Sequence, residues 1–305
     1  MKILDVVALG SCYVDINTED YPFGPEGLAV ETESVGGRYE TLAGGSAVNF
    51  CRSLTELGLA TAFIGMAGKD RMGDVLDDML RTSGIQPNLI RRADLQTNLG
   101  FNMTNPDGQQ VMCIAGDANA ALNPKEVLPV LENLSGQARV IYLGGCFKLQ
   151  AFMGAFPTVV KLAQRHSDDL VIDHGRIPDG TTPDMLSAVK DLVLQAAYYL
   201  PSKNEFCQLW EVASIEDGLR LLDKLAPKLT VVVKDGGNGA HYWSEDSRKR
   251  VEPVKVHKVI SATGAGDSFN AGLLAGLAKG WPLVDAIGHG CSVAAAKISG
   301  GRFIA

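Results

Sequence analysis

The sequence lacks the features that mark several classes of protein. Among its 305 residues, no apolar run approaches the roughly 18 residues that a membrane-spanning helix needs. No cluster of lysines and arginines occurs, and 35 acidic against 28 basic residues give a formal net charge of −7. The N-terminus carries no basic-then-apolar signal pattern. We therefore expect a cytoplasmic protein whose partners include neither a membrane nor a nucleic acid.

The cysteines also lack any pattern. None belongs to a Cys-x-x-Cys motif or a Cys/His cluster, so neither a metal site nor a disulfide framework is indicated. We expect reduced thiols that mostly serve as small core residues. The six positions are Cys12, Cys51, Cys113, Cys146, Cys207 and Cys291.

Two glycine-rich nucleotide-binding motifs are missing as well. The P-loop needs Ser or Thr after its Gly-Lys pair, but Gly68-Lys69 is followed by Asp70. A dinucleotide fingerprint needs a third glycine three residues after Gly266, but Phe269 stands there. That fingerprint also follows the first strand of its fold, whereas this segment lies near the C-terminus. These absences disfavour hydride transfer on a nicotinamide cofactor.

What the chain does contain is a regular alternation of two patterns. Short apolar or β-branched runs predict strands at 6–10, 61–66, 140–144, 170–173, 197–200 and 229–234. Amphipathic stretches predict helices at 47–57, 75–82, 124–133, 152–166, 183–195 and 215–225. Such alternation favours an α/β fold with a mainly parallel central sheet flanked by helices. Near the C-terminus we expect an antiparallel strand pair, 240–243 with 251–256, and then helices at 267–279 and 282–299.

Two segments interrupt this alternation. Residues 13–42 hold scattered acids, prolines and glycines, and residues 98–104 and 109–114 flank the turn signal Asn105-Pro106-Asp107-Gly108, which predicts a hairpin. We expect 13–42 and 97–115 to form a small β-sheet lid over an α/β domain made of 1–12, 43–96 and 116–305. The plainer alternative is two surface excursions without function.

The most informative segment is Thr263-Gly264-Ala265-Gly266-Asp267, which leads into an apolar helix. Glycines let the backbone approach a ligand closely, and the start of a helix adds partial positive charge, so the segment predicts a seat for an anion such as phosphate. A carboxylate beside such a seat is electrostatically costly. Asp267 is therefore a candidate general base for a hydroxyl that attacks the phosphate.

A second glycine cluster, Gly44-Gly45, opens a helix that carries Asn49. Its structural interpretation is a tight loop with Ser46 as the helix N-cap. Its functional interpretation is close approach of the backbone to a polyhydroxyl ligand, with Asn49 as donor and acceptor. Asp15, just after the first strand, could accept two hydrogen bonds from vicinal hydroxyls.

Taken in chain order, these motifs form a succession with several weaker ones: Gly10…Asp15, Gly44-Gly45…Asn49, Gly68-Lys69-Asp70…Gly73, Asn119-Ala120…Leu122-x-Pro124, Ser202-x-x-Glu205, Gly236-x-x-Gly239 and Thr263-Gly264-Ala265-Gly266-Asp267. The succession resembles the ribokinase (PfkB) family of carbohydrate and nucleoside kinases. The match extends from about residue 6 to residue 301, and its most specific part is the last motif.

The resemblance implies a ribokinase-like α/β domain with a β-sheet lid, and ATP-dependent phosphorylation of a hydroxymethyl group. It implies that Asp267 is the catalytic base and that the Gly264, Ala265 and Gly266 backbone forms the anion hole. It further implies acceptor binding by Asp15, Gly44, Gly45 and Asn49, and organisation of Mg²⁺ by Glu205. The nucleotide side is implied to include Ser202, Lys234, Gly236, Gly239 and Thr263.

Some points of the resemblance stay open. Ser202 stands where the family usually has Asn, and Ser261 stands where an acid often contributes to a monovalent-cation loop, so potassium activation is not assumed. A sugar or sugar acid is the favoured acceptor. A nucleoside is the alternative, with a base slot made by Tyr13, Phe101, Met103 and Met112, and a non-catalytic binding protein is a third possibility. By analogy alone, lid sheets could pair two subunits into a homodimer.

Overall fold

The strands and helices follow the predicted alternation closely. The computed structural model describes residues 3–18, 38–105, 110–166, 168–245 and 247–301. In chain order its strands are β1 Val6–Gly10, β2 Tyr13–Thr18, β3 Tyr39–Gly44, β4 Thr61–Gly68, β5 Gln86–Arg92, β6 Leu99–Thr104, β7 Gln110–Ala115, β8 Val140–Gly144, β9 Asp169–Asp173, β10 Tyr198–Tyr199, β11 Thr230–Lys234, β12 Ala240–Trp243 and β13 Arg248–Val251. Its helices are α1 Ser46–Glu56, α2 Arg71–Thr82, α3 Pro124–Ser135, α4 Phe156–His166, α5 Pro183–Val193, α6 Lys203–Trp210, α7 Ile215–Leu225, α8 Ala265–Ala278 and α9 Leu283–Ile298.

The larger of two sheets has the strand order β13-β12-β11-β10-β9-β8-β1-β4-β5 within the described residues. The strands from β11 to β5 are parallel, whereas β12 and β13 add an antiparallel edge. The prediction of a mainly parallel sheet is confirmed. Since the carboxyl ends of parallel strands open at one edge, the loops after β1, β8, β9, β10 and β11 meet there.

Helices cover both faces of this sheet, as the buried side chains show. Strand β1 sends Val7 and Leu9 into one apolar cluster, together with residues of α3 to α7. It sends Val6 and Ala8 into the other, together with residues of α1, α2, α8 and α9. A strand buried on both faces explains its continuous apolar run. None of the helices that the structure describes is long and apolar enough to cross a membrane.

The smaller sheet has the order β3-β2-β6-β7. β2 pairs antiparallel with β3 and parallel with β6, and β6 and β7 form the predicted antiparallel hairpin. The turn residues 106–109 and residues 19–37 of the expected lid lie outside the described part of the chain. The two sheets agree with a main domain and a lid, but the exact domain boundaries stay a prediction.

Two secondary-structure predictions need correction, and two elements were missed. The last strand is Arg248–Val251, not 251–256, because mutual hydrogen bonds between Ser244 and Ser247 bring the chain back at once and Pro253 has no N–H to donate to a sheet. Helix α8 begins at Ala265 rather than at Asp267. Strand β5 and helix α6 were not predicted, since β5 carries an alternating, partly polar sequence and α6 is short.

Candidate active site

The predicted anion seat lies at the start of α8 and is formed by the backbone of Gly264, Ala265 and Gly266. Gly264 is the N-cap residue with φ of 74°, a left-handed conformation that favours glycine. The first turn of a helix leaves N–H groups without partners inside the helix, and the helix dipole adds positive charge there. Thr263 is exposed just before the seat, and its N–H donates to Oγ of Ser261 over 3.3 Å.

Asp267 belongs to the same first turn and is held by two residues of α1. The Ser46 hydroxyl donates to its Oδ1 over 2.6 Å, and Nδ2 of Asn49 donates to its Oδ2 over 3.2 Å. Burial raises the pKa of Asp267 to about 6, an increase that the Ser46 hydrogen bond and the Lys234 charge oppose and the Asp173 charge supports. A buried carboxylate with this pKa is suited to act as a general base near neutral pH.

The second glycine cluster brings α1 to this position. Gly45 is the N-cap residue of α1 with φ of 107°, and a Cβ there would lie 2.3 Å from the backbone oxygen of Ser11. The structural expectation that Ser46 caps the helix is therefore wrong. Ser46 is instead the first helical residue, and its hydroxyl is free to reach Asp267.

Asp15 lies in the centre of the smaller sheet and is enclosed by two glycines. A Cβ on Gly44 would lie 1.7 Å from its Oδ2, and a Cβ on Gly100 would lie 2.1 Å from its Oδ1. Burial raises the pKa of Asp15 to about 6, although the positive charge of Arg52 opposes the increase. Gly44 thus has a steric role in addition to the predicted one, and Gly100 performs the same role from β6 without having been singled out in the sequence.

Arg52 links the two sides of the site. Its Nη2 donates to Oδ1 of Asn49 over 2.9 Å, and its Nη1 donates to the carbonyl of Ala43 over 3.2 Å. Because Arg52 occupies the oxygen of the Asn49 amide, the amide nitrogen is turned towards Asp267. The sequence signal for Arg52 was its spacing of three residues from Asn49, which places both on one face of α1.

Lys234 lies beneath the anion seat in a buried polar cluster. Its Nζ donates to Oδ2 of Asp173 over 2.7 Å and to Oδ1 of Asn270 over 3.1 Å, and Nδ2 of Asn270 also donates to Oδ2 of Asp173 over 2.7 Å. A Cβ on Gly266 would lie 3.5 Å from this Nζ. Burial alone would raise the pKa of Asp173, but the charge and hydrogen bond of Lys234 hold it below its usual range.

Ser202 and Glu205, which the resemblance places near Mg²⁺ and the nucleotide, contact each other at the start of α6. The backbone N–H and the hydroxyl of Ser202 donate to Oε2 of Glu205 over 2.9 and 2.6 Å. Ser202 also forms an isolated parallel bridge with Lys234, so this pair lies at the carboxyl edge of the large sheet. The hydrogen bonds show that Glu205 has a capping role at this helix.

Mg²⁺ would find no ready-made cage of side chains. In the described ranges, no group of three or more His, Cys, Asp or Glu side chains could hold a metal ion. Glu205 is partly exposed, and carboxylate oxygen suits Mg²⁺, which keeps several waters and takes phosphate oxygens as ligands. Glu205 therefore fits a water-mediated ligand of a nucleotide-bound Mg²⁺ better than a member of a protein-only site.

The two glycines predicted on the nucleotide side differ in their surroundings. Gly239 has φ of 88°, and a Cβ there would lie 2.1 Å from the carbonyl oxygen of Val251, so the hairpin itself requires this glycine. Gly236 has φ of 53° and open space around its Cβ position. Only Gly236 therefore leaves room for a ligand to approach, and nucleotide binding by either residue stays a prediction.

Comparison with known proteins agrees with this fold. The model of the pfkB family of carbohydrate kinases matches residues 4–302, and the chain belongs to this family. A 5-dehydro-2-deoxygluconokinase of Clostridium beijerinckii is 23% identical over 97% of this chain and 87% of that relative.

Solved structures are similar over nearly the whole chain. An Arabidopsis thaliana ribokinase complexed with ribose and ATP has a TM-score of 0.80 and 21% identity, with 97% of this chain and 92% of that chain covered. An E. coli protein assigned as a ribokinase II, in complex with ATP and Mg²⁺, has a TM-score of 0.83 and 20% identity over 98% and 96% of the two chains. The ribokinase-like fold is thus confirmed, and the chain is a sugar kinase of the PfkB/ribokinase family.

Proposed function

We propose that this sugar kinase transfers the γ-phosphate of ATP to a primary hydroxyl of a small sugar or sugar acid, with Asp267 as general base. The observation that carries the proposal is the position of Asp267 in the first turn of α8, directly after the Gly264–Gly266 anion seat and with a pKa raised to about 6. A base with this pKa is mostly ionised at neutral pH and still able to accept a proton as the hydroxyl attacks.

The anion seat and Lys234 supply the positive electrostatics for the transferred group. Backbone N–H groups at the start of α8 stabilise charge on the phosphoryl oxygens without reorganising, and the Lys234 ammonium lies directly behind Gly266. Mg²⁺ bound with ATP would neutralise charge on the phosphates, and Glu205 would help to hold it. Ser202, Gly236, Gly239 and Thr263 are proposed to line the nucleotide side.

The acceptor is proposed to lie between the smaller sheet and α1. Asp15 accepts hydrogen bonds from neighbouring hydroxyls, and Asn49 and the Gly44-Gly45 backbone contact others. The smaller sheet acts as a lid that excludes water, which limits transfer of the phosphoryl group to water. Similarity to proteins solved with ribose and ATP, and with ATP and Mg²⁺, supports both halves of this assignment.

A nucleoside acceptor is less well supported. The pairing of Asp15 with Gly100, and of Asn102 with Met112, places Tyr13 and Met112 on the same face of the small sheet as Asp15. Phe101 and Met103 fall on the opposite face. The four side chains therefore do not line one slot for a base, and this favours the sugar. Homodimerisation through the lid stays a prediction that the mass of the protein in solution tests.

The test is ADP release from Mg·ATP in the presence of ribose, fructose, 5-dehydro-2-deoxygluconate, 2-keto-3-deoxygluconate or adenosine. We expect acceptor-dependent ADP with at least one sugar or sugar acid. Asp267→Asn should lower kcat by roughly 10²–10⁴-fold, the usual contribution of a general base. Asp191→Asn, an exposed carboxylate on α5, is the matched control and should retain full activity. Full activity in Asp267→Asn would rule out the proposed mechanism, and release with adenosine alone would favour the nucleoside alternative.

A further inference from the structure

Lys297 lies beside the anion seat, although it belongs to none of the motifs that carry the family resemblance. It belongs to the last turn of α9. Its Cε would lie 3.7 Å from a Cβ on Gly264, and Nδ2 of Asn49 would lie 3.8 Å from the same point. Lys297 and Asn49 therefore flank Gly264 from the same side, which is the side on which the acceptor is proposed to bind.

The ammonium of Lys297 has no close partner in the described part of the chain. None of the hydrogen bonds or ion pairs found there includes it, although the side chain is half-buried. Burial and the nearby charge of Arg52 lower the pKa of Lys297, while Glu56, Glu40 and Asp267 oppose that decrease. Glu40 and Glu56 are exposed, so water screens their attraction. A half-buried cation without a partner is costly unless a ligand supplies the counter-charge.

The acceptor region contains both acidic and basic side chains, and their charges bear on which acceptor it can bind. Asp15 and Asp267 contribute two acidic groups, and an acceptor that carried a further negative charge would be repelled by them. Arg52 and Lys297 contribute two cations near Asn49. Their charges offset the repulsion by the two carboxylates, and the hydrogen-bond donors of the Lys297 ammonium stay available to an anion on the acceptor. A neutral sugar would leave this ammonium unpaired.

We propose that Lys297, assisted by Arg52, binds an oxyanion group on the acceptor and so selects acidic sugars over neutral ones. The inference rests on the proposed sugar kinase function and narrows its substrate class. The oxyanion is a carboxylate in a sugar acid or a phosphate in a sugar phosphate, and both present oxygens that an ammonium binds by charge-assisted hydrogen bonds. Lys297 acts here as a specificity residue, whereas Asp267 remains the base.

The experiment compares neutral and acidic acceptors in three variants. Fructose serves as the neutral acceptor, 2-keto-3-deoxygluconate and 5-dehydro-2-deoxygluconate as carboxylates, and fructose 6-phosphate as the phosphate. Lys297→Met removes the charge at similar length, and Lys297→Arg keeps it. Lys161→Met is the matched control, because Lys161 is an exposed lysine of α4, a helix that packs on the opposite face of the large sheet.

We expect the wild type to prefer an acidic acceptor. A higher kcat/KM for the carboxylate acceptors than for fructose 6-phosphate would identify the bound oxyanion as a carboxylate, and the reverse would identify it as a phosphate. Lys297→Met should lower kcat/KM for that acceptor about tenfold or more, mainly through KM, as the loss of a charged hydrogen bond predicts. Its effect on fructose should stay below about threefold, Lys297→Arg should recover most of the loss, and Lys161→Met should match the wild type. Calorimetric binding of the acidic acceptor without ATP should weaken in parallel.

The outcomes that overturn the inference differ from those that overturn the kinase proposal. Efficient transfer to fructose with no preference for acids leaves the kinase intact and removes the role of Lys297. An equal fall in kcat for every acceptor in Lys297→Met would place its charge on the transferred phosphoryl group instead, and again overturns acceptor selection. Absence of ATP-dependent transfer to any acceptor overturns the kinase proposal itself.

Discussion

The Ser46 hydroxyl donates to Oδ1 of Asp267 over 2.6 Å, so the proposed base on α8 is held by the first residue of α1. The two residues are 221 positions apart in the chain. Burial raises the pKa of Asp267, and this hydrogen bond is the strongest of the interactions that lower it. The protonation of the base therefore depends on how α1 and α8 pack.

The pH dependence of activity should have a limb near pH 6. Asp267 must be ionised to accept a proton, and its pKa is raised to about 6, so kcat/KM should rise with pH through that value. The pKa of Asp15 is also raised to about 6, and Asp15 must be ionised to accept two hydroxyl donors. We expect a slope between one and two in a logarithmic plot, and a slope of one in Asp15→Asn. A flat profile from pH 5 to 7 would contradict both assignments.

Loss of the Ser46 hydroxyl should move this limb upwards. A hydrogen bond to the ionised carboxylate lowers its pKa, so Ser46→Ala should raise the pKa of Asp267 and shift the limb to higher pH. The matched control is Ser292→Ala, because Ser292 is exposed and its hydroxyl donates only to the carbonyl of Gly288 one turn earlier in α9. Its profile should equal that of the wild type. An unshifted limb in Ser46→Ala would show that this hydrogen bond does not tune the base.

The Asp173–Lys234 pair should shift the same limb in opposite directions. The negative charge of Asp173 raises the pKa of Asp267 and the positive charge of Lys234 lowers it. Asp173→Asn should therefore move the limb to lower pH, and Lys234→Met should move it to higher pH. Each variant breaks a buried ion pair and should lose about 3–5 kcal/mol of unfolding free energy, which denaturant titration measures. Shifts of the same sign in the two variants would contradict the electrostatic assignment.

Substitution of Gly44 by alanine should weaken acceptor binding. A Cβ at this position would lie 1.7 Å from Oδ2 of Asp15, which forces the carboxylate to move. We expect Gly44→Ala to raise KM for the acceptor by about tenfold or more, which is the size of effect expected for the loss of a charged hydrogen bond. The KM for ATP should change little. Gly154→Ala is the control, because nothing lies within 4 Å of its Cβ position and its φ is not positive. Equal changes in the two Michaelis constants would argue for a general loss of folding.

Much of this fold could be predicted because its signals are local. The continuous apolar run of β1 reflects burial on both faces. The glycines of the Gly264–Gly266 segment indicate the start of α8, because glycine adopts the backbone conformation that is needed there. The partner strand of β12 could not be placed as well, since residues 251–256 are rich in valine, which is typical of strands. The turn at Ser244 and Ser247 decided the register, and such a turn leaves a weaker mark in the sequence.

The polar contacts of the site could be predicted only in part. Asp267 and Asn49 were named from their motifs, but that Ser46 and Asn49 would both donate to Asp267 depends on how two distant helices pack. The resemblance implies a nucleotide-side role for Lys234, but it does not indicate the ion pair with Asp173, which lies 61 residues away at the end of the predicted strand 170–173. Long-range pairing of this kind has no periodic signature.

Strand β3 passes into α1 without an intervening loop, because Gly44 ends the strand, Gly45 caps the helix and Ser46 is its first residue. A single residue, Gly45, thus joins the sheet that contains Asp15 to the helix whose Ser46 and Asn49 donate hydrogen bonds to Asp267. We expect a displacement of the small sheet to move the Ser46 hydroxyl, which donates to Asp267, because only Gly45 separates β3 from Ser46. If the acceptor binds at the small sheet as proposed, this connection would couple its binding to the protonation of Asp267, and an insertion between Tyr39 and Ser46 should disturb both together.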